Sequence, residues 1–483
     1  MNYGVVVKVL GNLLMLEALG MAPSLLISIY SKENDTTAFA FSIFITCFVG
    51  YIMSKTQINK KKMIKAKEGL TIVSLGWILA SFFGSLPFIF SGSIPSFVDA
   101  FFETVSGFTT TGATIINDIE VLPKGILFWR SFTHWIGGMG ILVFTVAILP
   151  AMGVGSFQIF KAESPGPIAD KIVPRIKDTA KILYITYITI SILELCLLWI
   201  GGMSLYESAI HTFGTLGTGG FSTRNASIGA FNSTYIHIVI SIFMIMAGTN
   251  FSLYYELFKG KWRDVLKNEE LRLYLGIISA GVILIAINMN MSHYNNFGQS
   301  FKYSLFQVSS IVTTTGYTTA NFDEWTTFSK GILFLLMFIG GCAGSTGGGI
   351  KNVRILVLLK LIKREMSKIF HPRAVISVKI GQKPVSSDTL ASIASFFALY
   401  IIIFSLGTLI ISLEGIGLVS AASAVAATIG NIGPGFDFVG PARTYSEFSN
   451  PSKLLLSWFM LLGRLEIFTI FILFSPKFWT NEM

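Results

Sequence analysis

Charge is scarce in this sequence. Asp, Glu, Lys and Arg make up 13% of its 483 residues, where a soluble globular chain carries about 25%. With 52% hydrophobic residues and a mean hydropathy of +0.67, the chain reads as a polytopic membrane protein. Cysteine is also rare: Cys47, Cys196 and Cys342 all lie in apolar segments, at no spacing typical of a zinc or redox motif, and are expected as small buried core residues. The five histidines are scattered away from Cys and carboxylates, which argues against a metal centre. Paired acids, a Ser/His pair or a metal constellation at matching depth are missing too, so a membrane-embedded enzyme is not expected. The first apolar run exceeds a signal-peptide core and lacks a small-residue cleavage site.

What charge there is has an order. Apolar segments of ~20 residues can be drawn near 5–30, 36–54, 69–91, 126–152, 180–202, 234–258, 273–291, 331–350, 389–413 and 452–475, which makes ten expected spans. The connections after the second, fourth, sixth and eighth hold most of the basic residues, at 55–67, 161–181, 259–272 and 351–383. Connections of that kind stay in the cytoplasm, so both termini are expected there and the other loops enter from outside. The formal charge of +10 is then topology and contact with anionic lipid, not nucleic-acid binding.

Four stretches organise the rest: FETVSGFTTTGAT (102–114), HTFGTLGTGGFST (211–223), QVSSIVTTTGYTT (307–319) and SAVAATIGNIGPG (423–435). Each is an apolar run of about three helical turns that breaks into Thr and Gly, where the backbone can take conformations closed to bulkier residues. Aligned on Gly112, Gly220, Gly316 and Gly433, they recur roughly every 100 residues, the scale of an internal repeat. Irregular backbone at membrane depth is tolerated only where protein or water covers it, which points the loops at a wet axis. Several backbone carbonyls aimed at one axis can replace the water shell of a cation, and each half helix turns the negative end of its dipole the same way. Asp99 suits the positive end of the first half helix. Glu103 and Glu207 are expected as hydrogen-bonded supports behind the loops, since a carboxylate ring would favour divalent cations.

Two features stand apart. Gly340, Gly341, Gly344, Gly347, Gly348 and Gly349 crowd the eighth span at a cost of about 1 kcal/mol each in a helix interior, so the span should break there. A phosphate-binding loop does not fit the run, because Lys351 does not follow a glycine directly and no Ser or Thr comes after it. Arg464 lies near the middle of the tenth span, where an arginine costs at least ~2.5 kcal/mol. Glu466, two positions on, faces away from it on a helix, so Arg464 is expected to face the pore. Glu17, Glu194 and Glu466 are expected in structural hydrogen bonds.

The tracts FFETVSGFTTTGAT, WIGGMGILVFTVAILP (135–150), FIGGCAGSTGGGIKNVRIL (338–356), NIGPG (431–435) and GRLEIFT (463–469) closely resemble the TrkH family, the potassium-translocating subunits of bacterial Trk uptake systems, within a superfamily that includes KtrB and HKT. The similarity runs along essentially the whole chain. It implies an all-α membrane protein with an N-terminal hairpin (1–60) and four potassium-channel-like repeats (68–160, 175–262, 270–370 and 385–483) around one pore. It carries potassium-binding filter positions onto Thr110, Thr111 and Gly112, Gly219 and Gly220, Thr314, Thr315 and Gly316, and Asn431, Ile432 and Gly433. It assigns a gate to Gly344, Gly347, Gly348, Gly349 and Lys351 of an intramembrane loop, together with Arg464. The sequence lacks the Ser that marks sodium-preferring plant relatives. The resemblance further implies a homodimer in the bacterial inner membrane, working with a TrkA-like cytosolic ring that binds the nucleotide, ATP or NAD. No cofactor is expected in this chain. Symport of potassium with sodium or protons is the rival expectation.

Overall fold

The computed structural model describes residues 1–56, 66–140, 176–294, 296–381 and 383–479. The expected fourth span is thus described only to Gly140, and the connection at 161–181 only from Ile176. Everything of substance is helical: α1 (Tyr3–Ser31), α2 (Thr36–Ser54), α3 (Ala66–Gly84), α4 (Leu86–Phe90), α5 (Phe97–Phe108), α6 (Lys124–Gly138), α7 (Ile176–Ile200), α8 (Leu205–Leu216), α9 (Thr234–Ala247), α10 (Phe251–Phe258), α11 (Trp262–Lys267), α12 (Glu269–Met289), α13 (Phe297–Val312), α14 (Thr327–Leu336), α15 (Asn352–Phe370), α16 (Ser387–Ile411), α17 (Leu418–Ile429), α18 (Asn450–Arg464), α19 (Phe468–Phe471) and α20 (Pro476–Trp479). A two-residue hairpin, β1 (Lys379–Ile380) with β2 (Lys383–Pro384), interrupts the connection after α15.

Six described helices are long and apolar enough to cross a membrane, or eight if each bent pair counts as one span. Their outer faces carry exposed Phe41, Phe44, Ile192, Leu193, Ile402 and Leu409, as lipid contact requires, because lipid gives an apolar side chain no reason to turn inward. The helices that follow the Thr/Gly loops correct the expectation of continuous spans. The sixth bends by 96° between α9 and α10 and the tenth by 112° beyond α18, while the eighth stops at Leu336. Only the last of these breaks was expected.

Four short helices, α5, α8, α13 and α17, form the interior. Ser96, Ser204 and Asn296 cap the first three by accepting hydrogen bonds from backbone N–H groups of the opening turn, which satisfies donors the helix cannot. The helices between them link them: α6 packs on α5 and α8, α9 on α8 and α13, and α18 on α17 and α5. Leu333, Leu336 and Met337 of the α14 segment share a core with Ala426, Ala427 and Ile432 of the α17 segment, which closes the circuit. The hairpin of α1 and α2 packs outside it, against α3 and α6. Of the three cysteines only Cys342 is buried; Cys47 is exposed and Cys196 half-buried, because the apolar faces they occupy turn outward.

Candidate functional site

Each short interior helix runs into a loop of the same shape. Thr110, Thr218, Thr314 and Asn431 hold φ of 55–60°, and two positions on Gly112, Gly220, Gly316 and Gly433 hold φ of 76–96°. A left-handed conformation costs a β-branched residue ~1–2 kcal/mol, yet it recurs at the same place three times with Thr and once with Asn. Equivalent backbone bonds hold the residue between: Thr111 N–H donates to Ser106, Gly219 to Gly214, Thr315 to Ser310 and Ile432 to Ala427, at 2.8–2.9 Å.

The loops meet backbone to backbone in cyclic order. A Cβ on Gly112 would collide with the carbonyl oxygen of Gly219, one on Gly220 with that of Thr315, one on Gly316 with that of Ile432, and one on Gly433 would lie 2.6 Å from that of Thr111. Glycine is required at these four positions by conformation and by space alike. All of the expected filter residues are brought together here. A cavity of about 140 Å³ opens onto Gly112, Gly220, Gly316 and Gly433.

Side chains brace the chain that rises from each loop. Glu103 accepts hydrogen bonds from the Thr114 hydroxyl and from Ile115 N–H, and forms a buried ion pair with Arg130 at 2.6 Å. At matching positions, His211 Nε2 bonds the Ser222 hydroxyl and Gln307 accepts from Thr319 N–H, and in the fourth repeat, one position earlier, the Ser423 hydroxyl accepts from Phe436 N–H. Tyr317 donates across to the carbonyls of His211 and Phe221, and Tyr445 to that of Gly433. Glu103 is the support expected of it. Glu207 instead pairs with Arg224 at the surface, and Asp99 with Lys453 at 2.7 Å. Outside the spans, Asp323 accepts from Asp437 N–H, and burial pushes its carboxyl above the ordinary value.

On the side of the ring away from that cavity, the glycine run forms a folded loop between α14 and α15. Gly340 N–H donates to Ile350 and Asn352 N–H to Gly341, which pinches the loop at its neck. Cys342 and Thr346 N–H donate to Gly248 and Ala247, at the break of the sixth span. The buried Glu270 accepts from Ala343 N–H at 2.7 Å and Val353 N–H at 3.0 Å, one on each side of the loop. Gly348 N–H donates to the Thr314 hydroxyl at 2.7 Å, so the loop touches the ring directly. Lys351 donates to the Gly347 carbonyl.

Arg464 is the last residue of α18, not its middle, and this corrects the sequence-based reading. Its guanidinium donates to the carbonyls of Thr346, in the glycine-rich loop, and of Gly137 and Gly138, at the end of α6 where a helix leaves acceptors, at 2.6–2.8 Å. Glu466 pairs with Arg354 at 2.5 Å, the bend having removed the helix that was expected to carry both. Gly344, Gly347, Gly348, Gly349, Lys351, Arg464 and Glu466 line one cavity of about 80 Å³. Glu17 and Glu194 are buried but line neither cavity.

Sequence reasoning missed Thr218, although alignment on Gly220 sets it beneath Thr110. It also missed Arg130, His134 and Glu270, whose partners lie too far along the chain to leave a local signal. Among the described residues no group of His, Cys, Asp and Glu could hold a metal ion.

Known proteins share this architecture. Residues 35–481 match the family model of TrkH, described as a cation transport protein. The chain is 38% identical to the Trk system potassium uptake protein TrkH of Escherichia coli K12, over 99% of this chain and all of that one. It is 36% identical to TrkG of the same strain, over 99% of each. The crystal structure of the potassium transporter TrkH from Vibrio parahaemolyticus superposes with a TM-score of 0.88 at 36% identity, covering 99% of this chain and 100% of that one. With its extent matched almost end to end in sequence and in fold, the chain belongs to the TrkH family of cation transport proteins.

Proposed function

We propose that the protein is a potassium uptake channel or carrier in which dehydrated ions pass through the ring of four loops. The cyclic contact of Gly112, Gly220, Gly316 and Gly433 with the carbonyls of Gly219, Thr315, Ile432 and Thr111 carries the reading. Four loops that alternate left-handed with ordinary residues turn successive peptide groups alike, and a ring of carbonyls replaces a water shell without demanding a divalent charge. The cavity above the ring is lined by Arg130, Arg224 and Arg443 and by no carboxylate among the described residues, which leaves attraction of the cation to the carbonyl ring. The folded loop at 340–350 with Arg464 is the gate: an arginine anchored on Thr346 places positive charge on the cation path for as long as the loop stays in position. Regulation falls to a cytosolic nucleotide-binding partner, with ATP or NAD as its nucleotide, docked on the basic connections of a homodimer in the cytoplasmic membrane. Symport with protons would need a free titrating carboxylate on the path, and symport with sodium a second site of oxygen ligands. Glu466, the one carboxylate among the described residues lining the cavity beside Arg464, is held by Arg354.

Cation flux into liposomes tests this, comparing potassium, rubidium, sodium and lithium for the native chain and for Gly112→Ser. Native protein should pass potassium and rubidium selectively. The serine must take a φ of 78° and displace the Gly219 carbonyl, so discrimination against sodium should fall by about tenfold or more. Equal passage of all four ions by the native chain, or a variant that matches it, overturns the proposal.

A further inference from the structure

The four loops are not supported equally. In the first, the hydroxyls of Thr109 and Thr111 bond each other at 2.8 Å, and in the third those of Thr313 and Thr315 do the same. In the fourth, Asn431 donates to the Thr111 hydroxyl and the Met460 carbonyl. The second loop has Gly217 and Gly219 where the threonine pairs stand, and so lacks that hydroxyl pair; its Thr218 hydroxyl donates only to the adjoining Gly217 carbonyl, at 2.6 Å.

The space those side chains would take is filled from α6. A Cβ on Gly219 would fall on the imidazole of His134, and one on Gly217 would lie 2.5 Å from the His134 carbonyl oxygen. His134 is fully buried. Its ring stacks on Phe221, the residue after Gly220, with centroids 4.0 Å apart and planes at 21°. The Arg130 guanidinium, one helical turn earlier, lies 3.4 Å from the same centroid. Two planar groups that close cannot share one face, so Phe221 is held between them. Among the described residues neither imidazole nitrogen has a hydrogen-bond partner. The ring therefore acts through its shape.

We propose that His134 is a positioning residue for ion discrimination, an external wedge that holds the second loop in register with the other three. This rests on the ring being the selectivity filter. A side chain that only filled the core would change stability and leave ion preference alone. A wedge behind the filter changes preference, because a loop displaced by a fraction of an ångström loses its discrimination before it loses its fold.

The experiment is the potassium-to-sodium flux ratio in liposomes, read with thermal melting for His134→Ala, His134→Phe, Gly219→Ala and the double variant Gly219→Ala with His134→Ala. Gly112→Ser is run beside them. Folded His134→Ala should lose discrimination by about tenfold, and His134→Phe, which keeps the stack, should stay within about twofold of native. Gly219→Ala forces a methyl into the ring and should relax discrimination, which the double variant should partly restore. If His134→Ala fails to fold, the phenylalanine and Gly219 arms decide. Native discrimination in folded His134→Ala or in Gly219→Ala, or its loss in folded His134→Phe, overturns the wedge. Should Gly112→Ser also discriminate as native does, the filter reading itself fails; should only Gly112→Ser relax, the wedge alone is wrong.

Discussion

Two buried charges show how differently one residue type can be read from sequence. Arg464 announces itself because an arginine in an apolar span is expensive, and the structure shows what offsets the cost: three backbone carbonyls, those of Gly137 and Gly138 at the end of α6 and that of Thr346 in the glycine-rich loop. Replacing it with alanine should raise resting rubidium flux into liposomes with the potassium-to-sodium ratio unchanged, since the loop would lose an anchor while the ring keeps its braces. Arg130 looks similar in sequence but is matched by Glu103, 27 positions away, both side chains being almost wholly buried. Glu103→Gln leaves the guanidinium without its counter-charge. A loss of about 3–5 kcal/mol is expected for breaking such a pair, seen as a lower melting temperature in detergent. The spacing of the two residues carries no hint of their contact.

Among the elements, the glycine-rich loop was legible and its clasp was not. Six glycines in ten positions forbid a helix on propensity alone. The breaks in the sixth and tenth spans rest on a few residues each: Gly248, where a Cβ would press on Tyr274 and Thr313, Asn250, which caps α10, and Glu466 at φ of 53°. In isolation any of these would be tolerated inside a helix, and it is the packed neighbour that selects the bend. The first break then supplies the carbonyls of Ala247 and Gly248 to the loop, and Glu270 ties down its two ends. Glu270→Ala should free Ala343 and Val353 N–H, giving faster hydrogen exchange across 341–353 than in native protein and greater resting flux. Unchanged exchange there would show that the clasp lies elsewhere.

For the molecule as a whole, the ends of the chain share one side. Asn2 N–H donates to Glu68, and the Lys67 ammonium lies over the Phe478 ring. Near the start of α12, Glu269 takes Lys360 and Gly381 N–H, which joins the hairpin and α15 to that helix. The positive-inside rule predicts that these basic segments lie in the cytoplasm. In intact cells, a cysteine introduced at Asn225 should therefore react with an impermeant thiol reagent, and one at Asp264 should react only after the membrane is opened. The reverse pattern would invert the assigned direction of the pore.

Membrane residence, the positions of the four loops, their glycines and the break in the eighth span follow from the chain alone. Each is a local matter: transfer of one segment into lipid, or a φ that only glycine takes without strain. The order of the loops around the ring, the partners of Arg464 and Glu466, the wedge at His134 and the bends in two further spans required the folded molecule. These depend on backbone groups brought together from sites often a hundred or more residues apart, such as Gly137 with Arg464 or Asn431 with Thr111. Such contacts are stable only when every intervening helix is packed, and no stretch of sequence contains both partners.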